Sequence, residues 1–128
     1  YDQEIMEMER VLEQDYEHKI RVVHITGQFF FGSATQLISK FEEMLGTQYL
    51  ILNYEADDLL DISAIFALED IILRLQSQEV NIILVIKNEE VLKQLKDHSI
   101  VSQIGAENVF YKEVDAIDFA KEHLLGVR

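Results

Sequence analysis

Cysteine is absent from the 128 residues. That excludes disulfide frameworks, thiolate metal sites and cysteine nucleophiles together, and it fits a reducing compartment. Proline is absent too, which is unusual for a chain with this many connections. Basic residues are scarce: 11 Lys and Arg stand against 24 Asp and Glu, for a formal charge of −13. Binding to nucleic acid by counterion release needs a face of Lys and Arg that this chain cannot supply. The same repulsion applies to anionic lipid headgroups. A domain of this charge held at a membrane therefore needs a covalent tether or a protein partner. No apolar run approaches the length of a bilayer span, and no secretory signal pattern opens the chain. The first residue is Tyr1 rather than Met, so an excised piece of something larger is expected.

Catalytic constellations are missing as well. His18, His24, His98 and His123 are far apart, without the spacing of a zinc helix. Ser33, Ser63 and Ser102 lie in no nucleophile-elbow sequence. No Gly-rich phosphate loop or dinucleotide fingerprint occurs, because Gly27 and Gly32 bracket phenylalanines. No convergent polar cluster is visible that would suit an enzyme or ligand-binding domain. His24 is expected to alternate outward from a strand whose neighbours Val23 and Ile25 point elsewhere.

What is present is a single domain's worth of alternating strands and helices. The 48% hydrophobic and 27% charged content is that of an ordinary globular protein, and the length suffices to bury a core without staples. The most informative stretch is Gly27–Ser33, three phenylalanines between two glycines, which reads as a short buried strand with a turn at each end. A helix then opens at Ser33, with Ala34, Leu37, Ile38, Phe41, Met44 and Leu45 on one face and Gly46 as its stop. Residues 1–19, with seven acids against two bases and weak periodicity, read as an acidic linker or leading segment. Strands are expected at Ile20–Thr26, Phe29–Phe31, Tyr49–Tyr54, Val80–Ile86 and Val109–Tyr111. Further helices are expected at Ile62–Gln76, Glu89–Lys96 and Val114–Leu124, with an irregular turn through Ile104-Gly105. The order implies an α/β fold: a mixed or parallel sheet with about four crossover helices.

Three segments together resemble the STAS domain, shared by anti-sigma-factor antagonists and the cytosolic tails of SulP-type anion transporters. Gly27-Gln28-Phe29-Phe30-Phe31-Gly32-Ser33-Ala34 is similar to a Gly-x-Leu-Phe-Phe-Gly/Ala-x-Ala stretch of the transporter branch. Tyr49–Asn53 running on to Leu60-Asp61-Ile62-Ser63-Ala64 is similar to the family's strand, loop and Asp-x-Ser/Thr-Gly motif. Ile104-Gly105-Ala106-Glu107-Asn108-Val109-Phe110 is similar to a Gly-x-x-Asn-Val-Phe ending. The resemblance runs from Ile20 to Leu124, so the domain is taken as residues 20–124 with a tail at 125–128, and the repeated Phe favours the transporter branch. In phosphorylatable antagonists the residue after the motif aspartate is the modified serine; here it is Ile62, with Ser63 one place later and Ala64 for the usual glycine. Asn53 stands where many members have aspartate. These departures count against a phosphorylation switch.

The resemblance implies a non-catalytic cytosolic regulatory domain of a SulP-like sulfate or anion transporter, at the cytoplasmic face of the membrane. Its implied partners are the transmembrane part of the same transporter, a soluble regulatory protein, or a second copy. The alternative is a free-standing antagonist-like signalling domain switched by phosphorylation. The motif corner is Asp61, Ile62, Ser63 and Ala64. Asp61 also reads, from the residues alone, as the N-cap of the helix starting at Ile62. No cofactor is called for. The family's nucleotide-binding role is opposed by Asp57, Asp58 and Asp61 at that helix start. No metal is expected there either: the spacing matches no calcium loop and Leu59-Leu60 interrupts the acids, so a solvated acidic loop is the simpler account. Along the same helix Ile65, Leu68, Ile72 and Leu75 form one stripe and Ile62, Phe66 and Leu73 a second. The second stripe either packs beneath neighbouring elements or leaves Ile62 and Phe66 exposed as a partner-docking surface.

Overall fold

The sheet is built from strands whose side chains are buried on both sides. In the computed structural model, which describes residues 19–25, 39 and 46–124, four strands lie in the order β1 (Ile20–Ile25), β2 (Tyr49–Tyr54), β3 (Asn81–Ile86) and β4 (Val109–Phe110). Every pairing among them is parallel, Ile20 opposite Tyr49 and Tyr49 opposite Asn81 at one end, Leu84 opposite Val109 near the other. The described sheet is thus parallel rather than mixed. Residues 1–18, Thr26, the Phe29–Phe31 strand, the tail at 125–128 and all but one position of the Ser33–Leu45 helix lie outside the described residues.

Parallel strands need crossovers, and these cover the faces. Helix α1 (Ile62–Ser77) joins β2 to β3; α2 (Glu89–Asp97) and the short α3 (Ile100–Ile104) join β3 to β4. The sheet grows in one direction, so crossovers of one hand place α1, α2 and α3 on the same face. There Val23, Ile25, Leu50, Leu52, Ile82, Leu84 and Ile86 meet Ile65, Leu68, Ile72, Val91, Leu95 and Ile100 in one cluster. The alternate residues Ile20, Val22, Ile51, Ile83 and Val85 face the other way, against Ala116 and Ala120 of α4 (Glu113–Leu124), with the Phe110 and Phe119 rings in tilted contact, centroids 5.2 Å apart. Helix α4 follows the last strand and crosses nothing. Period-two alternation thus feeds two cores from one sheet, each fully buried Ile or Leu contributing about 1.5–3 kcal/mol.

The turn at Ile104-Gly105 is more ordered than its sequence suggests. Residues Ile100–Ile104 make a full helical turn with Ile100, Val101 and Ile104 buried, and Ala106–Asn108 follow as a 3-10 turn. Tertiary packing of those apolar residues overrides the weak local signal. Ser99 joins α2 to α3 at φ +65°, a left-handed conformation that costs an L-residue about 1–2 kcal/mol. Its carbonyl accepts from Gln103 N and from Ser102 Oγ, so these bonds do not need the serine side chain. Ser99→Gly is expected to gain about 0.5 kcal/mol in urea denaturation, the relief being partly offset by a freer unfolded chain. A loss of stability would show that the Ser99 side chain contributes something these bonds do not explain.

Candidate functional site

The corner between β2 and α1, residues 55–61, is held by three side chains from elsewhere. Tyr54 Oη, at the end of β2, donates to the Asp58 carbonyl at 2.7 Å. Asn88 Nδ2 donates to the Asp57 carbonyl at 2.9 Å, while Asn88 Oδ1 caps α2 by accepting from Glu90 N and Val91 N. Gln94, on α2, makes a peptide-like clamp: Oε1 accepts from Leu60 N at 2.9 Å and Nε2 donates to the Leu60 carbonyl at 2.8 Å. The acidic loop is therefore tied down through its backbone, leaving the carboxylates of Asp57 and Asp58 at the surface.

Asp61 then starts α1. Its backbone is extended, its Oδ1 accepts from Ala64 N at 2.8 Å, and its carbonyl takes the Ile65 amide. This is the N-cap geometry that its position suggested. Ala64 is fully buried, Ser63 exposed, and Ile62 half exposed at 50%. The second stripe of α1 is on the surface: Phe66 is 59% and Leu73 53% exposed, and Leu59 in the loop adds 52%. The Ile65, Leu68, Ile72, Leu75 stripe is buried. The question left open by periodicity is settled in favour of exposure.

Tyr54 lies under this loop, and burial raises its pKa above the ordinary 10.0, with Asp58 and then Asp57 adding to the effect. A raised folded value means the fold favours the neutral phenol. Its contribution is complete below about pH 10 and is lost as pH climbs through the folded value. Tyr54→Phe should flatten the alkaline decline of stability, and remove the Asp58 bond at a cost of about 1 kcal/mol at neutral pH. Denaturant midpoints measured against pH check this; an unchanged alkaline slope would rule out Tyr54 as its source.

A second polar group, not visible in sequence, gathers at the carboxyl ends of β1 and β2. His24 and Asn53 are register partners. His24 Nδ1 pairs with Glu55, its Nε2 lies 2.8 Å from Glu113 Oε1 but out of line for a hydrogen bond, and Asn53 Nδ2 donates to that same oxygen at 3.0 Å. His24 is thus turned into a largely buried polar seam, and the outward orientation expected of it is corrected. The signal was unreadable locally because Asn53 and Glu113 are 60 residues apart. Glu55 and Glu113 meet different nitrogens of one ring. Among the described residues, no group of three or more His, Asp or Glu could hold a metal ion.

Among the described residues, neither of two cavities forms a ligand pocket at the corner. The apolar void lined by Leu52, Tyr54, Leu60, Leu68 and Leu95 measures about 20 Å³, far below the ~300 Å³ of a small-molecule pocket. A polar recess of about 280 Å³, between Gln76, Glu79, Asn81 and Asn108, sits at the other end of α1, ~22 Å along its axis.

A parallel sheet with this crossover pattern, and a capped, tied-down corner after its second described strand, make up a small α/β domain. The chain belongs to the STAS domain family, whose sequence model matches residues 11–116. It is similar to Sulfate transporter 3.2 of Arabidopsis thaliana, 27% identical over 109 residues that cover 75% of this chain and 17% of that protein. The chain therefore spans about a sixth of the length of that relative. In fold it is similar to the STAS domain of a SulP transporter from Vibrio cholerae, with a TM-score of 0.78 and 24% identity over 94% of this chain and 98% of the other. It is also similar to a sulfate transporter family protein from Wolinella succinogenes, with a TM-score of 0.70 and 21% identity over 80% of this chain and 85% of that one. Among the described residues no helix is long and apolar enough to cross a membrane.

Proposed function

We propose that this chain is the non-catalytic regulatory domain of a SulP-like anion transporter, working at the cytoplasmic face of the membrane. It acts through contacts made at the Asp61–Ala64 corner and the neighbouring Ile62–Phe66 surface, with the transmembrane part of the transporter or with a soluble regulatory protein. The observation that carries the reading is the fold similarity to the SulP transporter domain, which extends over nearly the whole of both chains. The corner supports it physically. Asp61 is occupied in capping, Tyr54, Asn88 and Gln94 in holding backbone, and apolar side chains are presented outward.

The coding sequence upstream of Tyr1 tests the assignment: a block of hydrophobic spans is expected. A reading frame that begins at this domain, beside a gene for a protein kinase, would overturn it. The phospho-switched alternative needs a hydroxyl that Ile62 lacks, and Ser63 is the exposed one nearest it. A phosphate on Ser63 would gain from the α1 dipole yet face Asp57, Asp58 and Asp61. Intact-mass spectrometry of protein from its native host is expected to show no stoichiometric phosphate; phospho-Ser63 would restore the signalling reading.

A further inference from the structure

We infer that the partner seated on the exposed face of α1 is a basic amphipathic segment, with apolar side chains along one side and Lys or Arg flanking them. The inference rests on the docking reading above and adds the chemistry of the occupant. At about 100° per residue, Ile62, Phe66 and Leu73 fall within roughly 40° of one another, a narrow apolar ridge along the helix. All three are at least half exposed, and Leu59 extends the apolar surface into the loop. Glu69 stands about 20° to one side of Ile62, and Asp70 lies about 40° beyond Phe66 on the other. Asp57, Asp58 and Asp61, all exposed, stand in the loop that leads into the head of the ridge. The base on this face, Arg74, is bridged to Asp70 at 3.1 Å, so the rim stays acidic.

An acidic rim around an apolar ridge selects against most occupants. A second copy related by a two-fold axis would set the same ridge against itself and bring acids onto acids. The acidic residues 1–19, with seven acids against two bases, meet the same repulsion, as do anionic headgroups. A segment with Lys or Arg beside its apolar anchors gains at both places, with the anchors supplying affinity and the charges selectivity and rate of encounter. Cytoplasmic loops of membrane proteins carry an excess of Lys and Arg, so a membrane-embedded partner presents this chemistry to such a surface.

The test uses the 128-residue chain and three helical peptides of equal length. One carries a Leu stripe with Lys flanks, one the same stripe with Glu flanks, and one the Lys flanks with Ser replacing Leu. Affinities are read by fluorescence anisotropy and the site by amide chemical-shift changes, on wild type, on Phe66→Ser and on Asp57→Asn/Asp58→Asn/Glu69→Gln. Tyr54 and Asn88 bond the carbonyls at 57 and 58, so that triple variant keeps the loop's ties. The Leu/Lys peptide is expected to bind best, with shift changes confined to residues 57–74. Added salt and the triple variant should each weaken it, the latter about tenfold for three rim charges, and Phe66→Ser at least as much. Equal binding of the Glu-flanked peptide, indifference to salt and to the triple variant, equally tight binding of the Ser peptide, or no binding at all overturns the basic-partner inference. So does a concentration-dependent dimer that Phe66→Ser abolishes, since the occupant is then a second copy. The docking reading fails separately, if Phe66→Ser alters neither any peptide's binding nor anion uptake by the full-length transporter.

Discussion

Ile65→Asp is expected to unfold the domain, whereas Ile62→Asp, three residues earlier on the same helix, is expected to melt like the parent and lose its partner. Ile65 is 3% exposed and faces the core that joins α1 to the sheet, while Ile62 is half exposed. An unpaired carboxylate in that core costs on the order of 2–7 kcal/mol, comparable with the ~5–15 kcal/mol that holds a whole domain together. At Ile62 the carboxylate stays in water, and a surface change of this kind shifts stability by about 0.5 kcal/mol. The Asp57, Asp58 and Asp61 cluster adds mild repulsion, which salt screens. Thermal melts of both variants, with a pull-down or anion uptake in the full-length context, decide the matter. A large drop in Tm for Ile62→Asp would place that side chain in the core and end the docking idea. An unchanged melt with unchanged binding and transport would end it equally.

Gln94→Ala is expected to cost about 2–3 kcal/mol although Gln94 lies outside the motif. Its amide satisfies both backbone groups of Leu60, a residue whose side chain is 6% exposed. Removing it leaves a donor and an acceptor short of partners in a partly buried place, each worth about 1–3 kcal/mol when water replaces them poorly. Gln94→Glu distinguishes the two bonds: its carboxylate can still accept from Leu60 N but cannot donate to the carbonyl, so it should recover about half the loss. The loop from 55 to 61 should also become the first site of proteolytic nicking in Gln94→Ala. Full retention of stability in Gln94→Ala, with no new cleavage, would mean that the clamp is dispensable and that Tyr54 and Asn88 hold the loop unaided.

Much of this architecture was legible because its determinants are local. The β2 strand at Tyr49–Tyr54 and the start of α1 at Ile62 fall where alternation, apolar runs and the capping aspartate indicated. Gly46 adopts φ +91°, a left-handed conformation that glycine takes without the cost of a Cβ. Among the described residues, the other expected helices and strands differ from the observed ones by a residue or so at their ends. The helix at Ile100–Ile104 was missed because five residues give too short a window for periodicity, and burial of Ile100, Val101 and Ile104 makes it a helix.

The corner shows where sequence stops. Its motif residues are contiguous, so Asp61, Ile62, Ser63 and Ala64 could be named in advance, and the Asp61 cap needs only the amide three residues on. Two of the side chains that shape the loop, Asn88 at the N-cap of α2 and Gln94 within it, lie 31 and 34 residues away and carry no mark beyond their residue type. The seam of His24, Asn53, Glu55 and Glu113 exists only because parallel register sets His24 beside Asn53 and the turn after β4 brings Glu113, the first residue of α4, to the same place. By itself the sequence determined the α/β alternation, the acidity, the missing thiol chemistry and two apolar stripes on α1, all of which follow from residue type and spacing. Which of those stripes faces water was decided by the tertiary structure alone. A helix with a wide apolar face has no local preference for which edge is buried, and the sheet, α2 and α3 together cover Ile65, Leu68, Ile72 and Leu75 while leaving Ile62, Phe66 and Leu73 outside.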